Sequence, residues 1–224
     1  MIRYLLDNNK FVYYGDDSKK DSVTFIAVHN NVDDLVKSGA DKTLLFTNDR
    51  LILDENDQLS PETREYLYQG IGNQLMDVDM VIILPDFSDT EMIHSTNCFT
   101  KLLADSVISS CHSVIIAIIN EPSPLDSQIE HNSFSQVRDQ LLENGVTFIV
   151  NSSQQILRGL RHAQRPLNEY QLQSFNTSYQ AIKIIWNCLY LRGVWDFDFS
   201  YLARIVQCMG EAIMVIGYWL WAGE

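Results

Sequence analysis

Positive charge is what this chain most lacks. Its 16 lysines and arginines stand against 29 aspartates and glutamates, a net charge of −13 over 224 residues. A surface of that sign repels phosphate backbones and anionic lipid, so nucleic acid and membrane surfaces are excluded as natural partners. Long apolar runs are missing as well. The longest, residues 212–222 (AIMVIGYWLWA), falls short of the roughly 18 residues a membrane span needs and reads as a buried strand. The first residues, MIRYLLDNNK, lack the apolar run of a signal peptide. Cysteine is sparse and scattered: Cys98, Cys111, Cys188 and Cys208 form no C-x-x-C pair and stand at no metal-ligand spacing from a histidine. They read as reduced, mostly buried thiols in a cytoplasmic protein.

Glycine is the most telling shortage. The stretch VDMVIILPDFSDTEM, residues 78–92, is an apolar run followed by a polar turn without a single glycine. In a nucleotide-binding α/β protein this is where backbone amides would converge on a phosphate. That cradle needs N–H groups with no side chains in the way. Here Pro85 removes a donor, and Asp86, Asp89 and Glu91 bring negative charge, with Ser88 and Thr90 between them. At an effective dielectric near 20, one such like-charge contact at ~4 Å costs about 4 kcal/mol.

What is present is an ordinary core. Hydrophobic residues make up 46% of the chain, enough for a sizeable core, and the length suits one large α/β domain or one domain with an appended piece. Two apolar runs, residues 2–6 and 11–14, flank an Asn-rich turn and read as a hairpin. Strands are expected at 23–28, 43–46, 77–84, 113–119, 146–150 and 212–220. Helices are expected at 32–38, capped by Asn30 or Asn31 and ended by Gly39, and at 60–76, with Pro61 in the first turn. Further helices are expected at 90–109, 134–143, 154–161, 167–191 and 201–209. The run SVIIAII at 113–119 is apolar throughout and belongs in the middle of a parallel sheet. Strands alternating with helices imply an α/β fold with a mostly parallel sheet flanked by helices.

Three segments together resemble the FtsZ/tubulin family of cytoskeletal GTPases. Residues 25–35 (FIAVHNNVDDL) are similar to the family's F-I-A-I-N-T-D-A-Q-A-L, and residues 148–157 (FIVNSSQQIL) to its L-I-V-I-P-N-D-R-L-L. Residues 193–217 (GVWDFDFSYLARIVQCMGEAIMVIG) are similar to its G-L-I-N-x-D-F-A-D-V-x-x-x-M-x-x-x-G-x-A-x-M-G-x-G. The resemblance implies a Rossmann-type nucleotide-binding domain over residues 1–166, a central helix over 167–192, and a truncated remnant of a second domain over 193–224.

The departures shape the functional expectation. The family's two glycine-rich phosphate turns are absent: the first 24 residues hold only Gly15, and Pro85 to Glu91 replaces the second turn. The family's arginine after the SVIIAII-type strand falls at Glu121, and its guanine-reading residue near Tyr179. In the family, a loop of pattern N-x-D-x-x-D inserts into the nucleotide pocket of the next subunit. Here Asp196 takes the Asn position, Asp198 the first acid, and Tyr201 replaces the second, so hydrolysis in trans should fail. Asp198 also reads simply as an acid at a helix start.

The resemblance therefore implies a pseudo-GTPase that binds protein, with no catalytic residues, cofactor or metal. It would cap or modulate FtsZ-type filaments through Asp196, Asp198 and Tyr201. One alternative is an inhibitor or immunity-type protein masking a toxin's basic active site. Another is a divergent, filament-forming GTPase with Asp86 or Asp89 on magnesium. Trp219 and Trp221 would mark a surface for a partner or for self-association, unless they fold back onto the domain. Arg158 and Arg161, with His162 and Arg165, form the one basic cluster and suit an acidic partner, or are merely the polar face of a helix. Asp86, Asp89 and His94 read as a solvated acidic loop rather than a metal cluster. Cys111 and His112, adjacent in sequence, point to opposite faces and cannot pair as nucleophile and base.

Overall fold

A computed structural model of the protein describes residues 24–72, 75, 78–85, 90–104, 114–162, 164–190, 198–207 and 210–214. The hairpin expected in residues 2–14 lies outside them.

The chain alternates strand and helix. Strand β1 (Ile26–His29) leads to helix α1 (Val32–Ser38) and to β2 (Lys42–Leu45), which pairs with β1 in parallel. Helix α1 is bounded as its sequence requires. The Asn31 side chain accepts a hydrogen bond from the Asp33 amide, and Gly39 ends the helix in the left-handed region at φ 68°. Helix α2 (Pro61–Leu67) starts on a Ser60 cap with proline in its first turn, then widens into a π-type turn over Tyr68–Gly72. The helix expected to continue regularly to residue 76 thus changes character at Tyr68. Gly70 lies so close to Leu44 that a Cβ there would stand 2.7 Å from the leucine side chain.

A second sheet forms the centre. Strands β3 (Met80–Ile83), β4 (Val114–Asn120), β5 (Thr147–Asn151) and β6 (Glu211–Met214) lie in that order, all parallel. Helices α3 (Thr90–Ala104), α4 (Gln128–Glu143), α5 (Ser153–His162), α6 (Tyr170–Tyr190) and α7 (Phe199–Gln207) connect and cover them. This is an α/β architecture of Rossmann-like type.

The alternation of side chains along β4 builds three layers. Ala117 and Ile119 face a core with Ile93 of α3, Val137 and Leu141 of α4, and Phe148 and Val150 of β5. Val114, Ile116 and Ile118 face the opposite core, with Ala181 and Ile185 of α6 and Val206 of α7. Strand β4 is therefore covered on both faces, as its unbroken apolar sequence predicts. A third cluster joins Phe46, Leu67, Ile71, Phe99 and Leu102, with Ile26, Val28, Val81 and Ile83 packed against it, so α2 and α3 cover β1 and β3 together.

One segment differs from expectation. Helix α4 begins at Gln128 rather than at 134, because Ser127 and Glu130 form a capping box. The Ser127 side chain accepts from the Glu130 amide, and the Glu130 carboxylate accepts from the Ser127 amide. The described part of the 193–224 segment joins the main sheet: β6 pairs with β5, and Arg138 of α4 holds its first residue, Glu211, at 2.7 Å. The Thr147 hydroxyl at the start of β5 also donates to the Val206 carbonyl at 2.6 Å.

Candidate functional site

In open α/β sheets, ligands collect at the carboxyl ends of the strands, where the following helices present their positive N-termini. Four of the expected site residues belong to this edge or to the α5 helix that leaves it. Pro85 is half-buried just beyond β3, and Thr90 is the exposed first residue of α3. Arg158 and Arg161 lie exposed on α5, three residues apart. Asp86, Ser88 and Asp89 lie outside the described residues.

The carboxyl edge is densely hydrogen-bonded within itself. Asn120 ends β4 and Asn151 ends β5. Asn151 Nδ2 donates to Asn120 Oδ1 at 2.8 Å and to Ser178 Oγ of α6 at 3.0 Å, and Ser178 Oγ donates to Asn120 Oδ1 at 3.1 Å. Asn151 is fully buried, and its Oδ1 accepts no hydrogen bond. The next residue after β4, Glu121, is fixed at three points. Its amide donates to the Asn151 carbonyl at 3.0 Å, its carbonyl accepts from the Tyr170 hydroxyl at 2.9 Å, and its carboxylate accepts from the Ser153 amide at 2.7 Å. Burial pushes the Tyr170 phenol up, with Asp126 and Glu121 adding to the effect, so it remains a proton donor.

Carboxylates recur in the first turns of α1 to α4. Asp33 and Asp34 lie in the first turn of α1, Glu62 in that of α2, Glu91 in that of α3 and Glu130 in that of α4. Asn30, just after β1, donates its side-chain N–H to the Glu91 carboxylate. Hydrogen bonds from the Ser127 amide and hydroxyl hold the Glu130 carboxyl below the usual range. Helix α5 has no acid in its own first turn, and Glu121 supplies one from the neighbouring loop.

The loop expected to act on a partner is described from Asp198 onward; Asp196 lies outside the described residues, as do Trp219 and Trp221. The Asp198 carboxylate caps α7, accepting from the Ser200 hydroxyl and the Tyr201 amide at 2.7 Å each. Those two bonds lower its pKa. Asp198 thus fills the helix-start role that its position also suggested. Tyr201 is 52% exposed and Ile205, one turn on, 38%.

The other side chains weighed from sequence fall into structural roles. His94 Nε2 is bonded to the Leu51 carbonyl at 2.5 Å and approaches Cys98 Sγ at 3.7 Å. Cys98 is fully buried, and desolvation pushes its thiol up to about 12, so this pair is no nucleophile and base. Among the described residues no cluster could hold a metal ion. Tyr179, at the position where a base reader was expected, is buried on α6. None of the described helices is long and apolar enough to cross a membrane.

Sequence reasoning did not find Asn120, Asn151, Ser178, Tyr170, Asn30 or Glu130. One signal was readable: SVIIAIIN and VTFIVN each end an apolar strand on asparagine. Apart from Glu130, which bonds to Ser127 three residues away, the other contacts join residues dozens of positions apart.

Compared with known proteins, the chain matches no protein-family model, and no curated protein is significantly similar to it.

Proposed function

We propose that this is a non-catalytic, FtsZ/tubulin-like protein of the cytoplasm that works by binding another protein, capping or modulating FtsZ-type filaments. The observation that carries this reading is the set of carboxylates at the carboxyl edge. A triphosphate would need the amides of these helix starts and the absence of like charge. Glu121 and Glu130 occupy amides there, and with Glu91 they supply like charge. The chain retains the α7 start, with Asp198 and Tyr201 on the surface, as a docking element. A subunit that docks by this element, and has no nucleotide face to receive the next, ends a filament.

The test is sedimentation of a polymerising FtsZ-type protein with increasing amounts of this chain. The expected result is a substoichiometric fall in pelleted polymer, weakened by Tyr201→Ala. An unchanged pellet at equimolar protein overturns the reading.

The net charge of −13 supports a second reading, an immunity-type protein that masks a toxin's basic active site. Protection from a toxin in a neutralisation assay, with no effect on polymer, would replace the first reading by this one.

A further inference from the structure

We infer that the carboxyl ends of β4 and β5 are closed from within, with the Glu121 carboxylate standing as a built-in anion at the start of α5. The inference rests on the reading that the chain binds no nucleotide, and takes it further by naming the group that fills the place. Glu121 is not a loosely held surface acid. Its amide is tied to the end of β5, its carbonyl to Tyr170 at the start of α6, and its carboxylate to the buried Ser153 at the start of α5. Three elements thus position one negative charge against a ten-residue helix whose own first turn has none.

The unmet demand nearby has the opposite character. Asn151 Oδ1, fully buried, lacks a donor. What this buried oxygen still asks for is an N–H or O–H group, whereas the α5 start already has its anion in Glu121. The Asn120–Asn151–Ser178 hydrogen bonds hold the wall behind Glu121 in place whether or not the carboxylate is there. Removing the charge therefore leaves an anion-seeking helix start in a preformed setting rather than a collapsed one.

The experiment is thermal unfolding of the full chain and of Glu121→Ala, titrated with inorganic phosphate against sodium chloride at matched ionic strength. Phosphate raises the stability of most proteins through exclusion from their surface, so the wild-type shift is the baseline. The expected result is a lower starting Tm for Glu121→Ala and a saturable extra rise of a few degrees with phosphate. Broadening of the phosphate phosphorus resonance by the variant, and not by the wild type, accompanies it. Should Glu121→Ala fail to fold, Glu121→Ser decides, since it keeps the backbone bonds to Asn151 and Tyr170 while removing the charge and vacating the Ser153 amide. Coinciding phosphate shifts for wild type and variant overturn the inference. Nucleotide binding by the wild type would instead overturn the functional reading, so the two failures are distinguishable.

Discussion

Asn151 at the end of β5 donates its side-chain N–H to the side-chain oxygen of Asn120 at the end of β4, 2.8 Å away. The pair spans neighbouring strands of the parallel sheet, and Ser178 of α6 closes the triangle. A buried polar triangle is worth keeping only while all its members are bonded. Asn151→Ala removes two of the triangle's three bonds and leaves only the one from Ser178 to Asn120. A loss of about 1–3 kcal/mol is expected. Ser178→Ala removes a single corner and should cost less than Asn151→Ala. Urea unfolding of the two variants checks the order, and equal losses would mean that Asn151 acts alone.

The cysteines divide by environment. Cys98 is buried against His94, with its thiol pushed up to about 12 by desolvation, whereas Cys188 is exposed on α6. The thiolate is the reactive form, so at neutral pH only Cys188 of the two should alkylate in the folded protein. Peptide mass spectrometry after a brief iodoacetamide pulse reads this directly. Modification of Cys98 at a rate near that of Cys188 would show that α3 opens far more readily than its burial implies.

Acid should loosen α4 and α7 through their caps. Glu130 and Asp198 both have lowered pKa values, because hydrogen bonds favour their charged forms. A carboxyl whose folded pKa lies below its unfolded value near 4 contributes stability above that value. The contribution is lost as pH falls through the folded pKa. Thermal melts between about pH 5 and pH 2 should therefore show a steeper fall for the wild type than for Glu130→Gln or Asp198→Asn. Both variants start lower at pH 7. Parallel curves would mean that the caps hold equally well without their charge.

Much of this architecture can be read from local pattern. Asn31 and Gly39 bound α1 by the side-chain acceptor and the positive φ that those residues supply. The unbroken run from Val114 to Ile119 announces a strand covered on both faces, and β4 is one. The start of α4 was equally local, in Ser127 and Glu130, but a segment rich in proline, serine and aspartate reads first as loop. The polar side of α3 was harder. Ser95 and Thr100 are buried because their hydroxyls bond to the carbonyls of Met92 and Asn97, and Asn97 meets Asn144, the residue that ends α4, at 3.0 Å. Periodicity counts such residues as surface. The site was less legible still. Glu121 reaches Ser153 across 32 positions, and Tyr170 reaches Glu121 across 49, so no window of sequence contains either contact.

Calorimetry with magnesium GTP is expected to show no binding heat at concentrations up to the millimolar range. The cause is electrostatic and local. Burying a charged ligand requires that each phosphate oxygen exchange water for donors of comparable strength. At this edge the α5 amide of Ser153 is taken by Glu121, the Ser127 amide by Glu130, and the amide of Asp33 by Asn31. A triphosphate arriving here would displace bonds that the protein makes to itself. It would also sit beside Glu91, whose carboxylate is held by Asn30 in the first turn of α3. One like-charge contact at ~4 Å costs about 4 kcal/mol at an effective dielectric near 20, equivalent to roughly three orders of magnitude in affinity. Glu121→Ala alone should not restore GTP binding, because it leaves Glu91 and Glu130 in place. Micromolar GTP binding by the wild type would show that these carboxylates move aside or hold magnesium. The chain would then be a nucleotide-binding protein with a different phosphate loop.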